Sequence, residues 1–258
     1  MIGRVLRDRR GAAMLRRIDR PGVVVLAIVL AVLATVAWLA SPLWMAIAIG
    51  AQLLIGGLGT VRLLGPAQPG IGYARYAVPT LGAVALSLFG RILPGGVVLL
   101  FAPFAAILIW SILWLELRAS RGIPARTLLD MALVSILFAS ASGIVVVAGR
   151  AGWPPPIALT LPIVLILAIR AAEARGRTGV AGVGQGLLHT LAVAQVGMAA
   201  VLLELPGVVV PALGALAFHA WSGAAEALEE GASGRAVLVE FGSLAVLGIV
   251  VAILLHAV

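Results

Sequence analysis

The chain has 258 residues, of which 62% are hydrophobic and only 11% charged, a composition that excludes an ordinary soluble domain. Its formal net charge of +8 is carried by arginine without any lysine; beside apolar spans the natural partners are the lipid bilayer and its anionic headgroups, and no nucleic acid is expected. No cysteine is present, which excludes disulfides, thiolate nucleophiles and iron–sulfur ligation.

Residues 1–21 form an arginine-rich segment expected on the cytoplasmic side. Arg4, Arg7, Arg9, Arg10, Arg16, Arg17 and Arg20 alternate there with Ile2, Val5, Leu6 and Ile18, the pattern of a short amphipathic helix lying on the membrane surface. The apolar run 23–39 that follows is longer than a signal-peptide core. Trp38 also stands where a cut after Ala40 would need a small residue, so the run is expected to stay as a span. The rest of the chain, 22–258, is expected to be a single transmembrane domain. Runs of about 20 apolar residues cross a bilayer as helices, and here they fall at 22–40, 43–63, 76–93, 97–117, 127–148, 155–171, 186–205, 207–227 and 236–257. Helix is required because backbone groups facing lipid must be satisfied within their own segment. The eighth run is the weakest, diluted by Pro211, Gly214, His219 and Gly223.

Charge then assigns the sides. With the N-terminus inside, the inner segments hold the seven N-terminal arginines, then Arg62, Arg75, Arg118, Arg121, Arg126, Arg170, Arg175, Arg177 and Arg235. The outer side keeps only Arg91 and Arg150. This asymmetry predicts an N-in, C-out topology. The turns agree: Ser41-Pro42, Pro94-Gly95-Gly96, Trp153-Pro154-Pro155-Pro156 and Pro206-Gly207 are short and fall outside, whereas the inner connections are longer, glycine-rich and basic. The expected fold is therefore an all-α polytopic transmembrane bundle of nine spans in a prokaryotic-type inner membrane. An internal duplication is also suggested. Leu93-Pro94-Gly95, Val97-Val98, Trp110-Ser111 and Glu116 are echoed by Leu205-Pro206-Gly207, Val208-Val209, Trp221-Ser222 and Glu226, which would relate helices 3–5 to helices 7–9.

Ionisable groups inside spans are costly and so are functional candidates. Asp130, His189 and Glu240 each lie about one turn inside the cytoplasmic boundary, Glu116 and Glu226 approach that boundary from the other direction, and His219 lies near mid-span. Asp130, His189, His219, Glu226 and Glu240 are thus the candidates to line a polar cavity open to the cytoplasm. A purely structural account competes with this. Asp130 and Glu240 stand near helix N-termini, Arg126 is four residues before Asp130, Arg118 is close to Glu116, and a neutral His219 bonded to a facing helix would need no function. Arg175 and Arg177, in a glycine-rich stretch leading to Gly186, are candidates to contact a phosphate or lipid headgroup, although the stretch matches no phosphate-binding fingerprint. Gln52 and Gln195 are expected to bond between helices; Gly56, Gly57, Gly59, Gly143, Gly242 and Gly248 are expected to mark close helix contacts. Arg91 and Glu204, near the outer ends of their spans, are free to pair or to face water.

No metal, nucleotide or cofactor motif is present. Glu229-Glu230 followed by Arg235 resembles the glutamate pair of intramembrane CAAX-type proteases, but the arginine stands one position too far and the later histidine is lacking, so the resemblance is set aside. Two functions follow as expectations. One is a small permease-like bundle or a subunit of a membrane complex, with a membrane-protein partner or a second copy. The other is an enzyme acting on lipid headgroups at the cytoplasmic leaflet.

Overall fold

Proline and glycine punctuate the chain into helices, and a computed structural model of it describes residues 20–65, 72–118, 123–151, 156–207 and 209–256. The N-terminal amphipathic segment, Arg121 and the turn residues Trp153 to Pro155 lie outside the described residues. Among the described residues nine α-helices follow in order: α1 Arg20–Leu39, α2 Pro42–Leu64, α3 Val78–Gly90, α4 Val98–Arg118, α5 Ile123–Ala151, α6 Pro156–Ala174, α7 Gly179–Leu202, α8 Val209–Glu229 and α9 Gly234–His256. Short 3-10 turns at Ala74–Tyr76 and Gly95–Val97 flank α3. Each helix answers one of the nine predicted spans. Six stretches, in α1, α2, α4, α5, α7 and α9, are long and apolar enough to cross a membrane, so this is a membrane protein by helix length and composition.

The short α3 is the exception in geometry. With 13 residues it spans about 20 Å, less than a bilayer core. Its position explains its composition: every residue from Val78 to Gly90 except Phe89 is buried, as expected of a helix surrounded on all sides. One face of α3 joins α1 and α4 through Ala83 and Leu86, packed with Leu30, Phe101 and Ile109. The other joins α5, α6 and α8 through Val78, Leu81 and Ala85, packed with Leu133, Val164 and Phe218. The two largest apolar cores therefore share α3, and Ile112 of α4 also reaches into the second. On one side α2 packs against α1 and α3; on the other, α5 to α8 form a four-helix unit, and α9 packs on α8.

Small residues set the closest contacts. A side chain at Gly143 would run into the backbone of Leu88, so α5 and α3 touch main chain to main chain; Gly186 of α7 sits against Ile169 of α6 in the same manner. The glycine-rich stretch before span 7 is thus mostly helix. Gly179 to Gly186 belong to α7, and only residues 175–178 remain as a connection, with Gly176 at a φ of 87° and Gly179 at 64°. A long flexible inner loop expected from those glycines is replaced by a helix that uses them to approach its neighbour.

The proposed likeness of helices 3–5 to 7–9 holds at the turn and not in the packing. Val97 donates its N–H to the Pro94 carbonyl and Val209 donates to that of Pro206, the same bond at the same place in each Leu-Pro-Gly turn. Yet α3 packs closely on α5, whereas α7 and α9 form no comparable pair. Among polar groups expected to join helices, Gln52 does so, donating to Ser87 at 2.8 Å with both buried. Gln195 is exposed. Arg91 closes the C-terminal end of α1 by donating to the carbonyls of Ala37 and Ala40, while Glu204 is exposed.

Candidate functional site

The ends of α4, α5, α6 and α8 that the arginine asymmetry assigns to the inner side carry the polar groups. Arg170, on the last turns of α6, reaches Glu116 near the end of α4: Nη2 donates to Oε2 at 2.7 Å, and Nε lies 3.0 Å from Oε1. Both side chains are buried, at 7% and 0% exposure, so this is a doubly bonded ion pair shielded from water. Glu116 was expected beside Arg118. Instead Arg118 lies over the ring of Trp114, 4.1 Å from its centre, and the partner comes from 54 residues further along the chain. One turn beyond Arg170, Glu173 accepts the Ala74 N–H at 3.1 Å. Arg75 and Tyr76 in the same 3-10 turn donate to the carbonyls of Leu64 and Gly65, tying the end of α2 to the end of α6.

Next to this lock is the candidate cluster. Asp130 on α5 is half-buried, and the charges acting on it are those of Glu226, Arg175, His219 and Arg170. Arg126, four residues before it, is exposed and forms no ion pair with it among the described residues. Arg175 is 8% exposed and donates to Ser222 Oγ at 2.9 Å; its Nε lies 4.0 Å from the Glu229 carboxylate. Arg177 is half-exposed and 3.4 Å from the same carboxylate, which also accepts from Gln185 at 3.0 Å. The two arginines proposed for a headgroup thus already face an acid.

The two candidate histidines differ in burial. His219, near the middle of α8, is exposed. His189 is 1% exposed and packs on the Phe218 ring at 4.2 Å between centres. Its Nε2 lies 3.0 Å from the Phe218 carbonyl. A carbonyl only accepts, so Nε2 carries the proton and Nδ1 is a buried acceptor with no partner among the described residues. Glu240 is exposed on α9 and is not among the charges that act on Asp130.

Above the cluster the four-helix unit closes and then opens again. Leu133, Leu137, Val164, Leu167, Val193 and Phe218 form a continuous buried apolar layer from α5, α6, α7 and α8. Seven residues of α5 separate Asp130 from Leu137, about 10 Å of helix. Beyond the layer, a narrow crevice of about 30 Å³ is lined by Val145, Pro156, Thr160, Gly197, Pro211 and Gly214, with Leu137, Val164 and Val193 at its floor. That volume has room for little more than a water molecule. By the charge assignment, the crevice lies toward the outer face and the cluster toward the inner one.

Sequence reasoning overlooked Arg170 as a partner, and with it Glu173, Ser222 and Glu229. The one available signal was their shared level near the inner ends of α6 and α8. Among the described residues, no three of His, Asp and Glu gather closely enough to hold a metal ion. No protein-family model, curated protein or solved structure matches the chain.

Proposed function

We propose that the chain is a small permease-like protein of the cell membrane, in which a solute route runs along the axis of α5, α6, α7 and α8. The carrying observation is that a polar cluster and an outer crevice occupy the same four-helix unit on either side of one apolar layer. A route that opens alternately to the two faces needs those three parts in that order. Asp130, Glu226 and Arg175 would form the inner vestibule; His219, exposed on α8, is not part of it. His189 Nδ1, an acceptor buried at the level of the layer, would meet a donor group on a passing solute. The arginine-rich inner face would rest on anionic headgroups. A headgroup enzyme draws less support, because Glu229 already faces both Arg175 and Arg177.

The absence of native cysteine makes the test direct. Val193→Cys, at the crevice floor, should react with a small membrane-impermeant thiol reagent added to inside-out vesicles and also with reagent added to right-side-out vesicles. Labelling from the outer face alone, or from neither, would leave the apolar layer as a static core and overturn the proposal.

A further inference from the structure

Among the described residues, α9 packs chiefly against α8. The contact uses one side of the helix: Val237 is buried, Phe241 lies against Gly223, and Gly248 meets Leu216. On another side Ala236, Val239, Ser243, Val246 and Val250 are all exposed. Their alternating three- and four-residue spacing is that of a seam between two parallel helices. Arg235 and Glu240 flank the seam, and with Ser233, Ala236, Val239 and Ser243 they line one open groove.

Glu240 is six residues past Gly234, about 9 Å into the apolar stretch Gly234–Val251, where an unneutralised carboxylate is costly. Neither Glu240 nor Arg235 belongs to any ion pair among the described residues. They do not serve each other within one helix, because five residues turn them about 140° apart. Across a parallel pair, however, that spacing is the one at which flanking charges meet: a residue before the seam faces the residue five positions later on the opposite helix. Two copies inserted with the same sidedness and related by a two-fold axis along the membrane normal have this arrangement, and it satisfies both pairs at once. Ala236 and Ser243 are small enough to let the backbones approach.

We infer that a second copy of this chain docks on the exposed face of α9, with Arg235 of each copy paired to Glu240 of the other. The surface is self-complementary in charge, which selects a second copy over an unrelated helix.

Single cysteines in the cysteine-free chain test the inference in native membranes. Val239→Cys and Val246→Cys should yield disulfide-linked dimers on mild oxidation, while Val25→Cys, on the exposed face of α1, should not. In the Val246→Cys background, Arg235→Glu or Glu240→Arg alone sets like charges opposite one another and should cut the dimer yield several-fold. Co-expressing those two variants with different tags restores both pairs in the mixed dimer, which should return to the parent yield. No dimer from the two seam cysteines, unchanged yield in the single-charge variants, failure of the mixed pair to recover, or capture of a different protein in place of the second copy would each overturn the inference.

Discussion

Arg170 and Glu116 hold each other in a place where neither would be tolerated alone. Removing one partner leaves a buried, unpaired charge, and such losses cost about 3–5 kcal/mol. Glu116→Ala is therefore expected to lower the thermal midpoint of the purified protein sharply, and Glu116→Leu combined with Arg170→Met to recover most of the loss. A single variant as stable as the parent would contradict the shielded pair. The pair could not be read from the sequence, because its members are 54 residues apart and no local spacing joins them. Glu116 has Arg118 two positions away, but two residues turn those side chains about 200° apart around the helix. The burial of the two candidate histidines is not legible for a related reason. In a chain this apolar, hydrophobic periodicity does not separate the inward face of a helix from the lipid-facing one, so depth along the axis was legible while rotation about it was not. Depth along the axis suggests a shared level for Asp130 and Glu226, and Glu226 is among the charges that act on Asp130; rotation decides that His189 faces the core and His219 does not.

At the scale of elements, the agreement follows from punctuation. Proline at the start of α2, α6 and α8, and Pro-Gly in the outer turns, stops or starts helices wherever the chain must turn. The largest displacement is at α7, which begins at Gly179 where residue 186 was expected. Its glycines lower hydropathy but serve contact with α6, so tertiary packing overrides a composition that suggests a loop. The same distinction gives a comparison of two glycines. Gly143→Val should destabilise by about 1–3 kcal/mol through overpacking against the Leu88 backbone. Gly57→Val, where an added side chain meets nothing within 4 Å, should leave the unfolding midpoint near that of the parent. Equal effects at both positions would mean that α3 and α5 are not in main-chain contact.

The whole molecule is organised around α3, with one core of α1, α3 and α4 and another of α3, α5, α6, α7 and α8 that Ile112 of α4 also reaches. Its first part is built from apolar packing and the Gln52–Ser87 bond; its second gathers the cluster, the apolar layer and the crevice. Which end of that second core meets the cytoplasm rests on arginine asymmetry, and the functional proposal rests on it in turn. Labelling single cysteines in intact cells with an impermeant maleimide measures the asymmetry directly. Gly96→Cys, in the exposed turn between α3 and α4, is predicted to react at once, and Ala232→Cys, in the exposed connection between α8 and α9, only after permeabilisation. Reaction of Ala232→Cys in intact cells with Gly96→Cys protected would invert the bundle and place the polar cluster on the outer face.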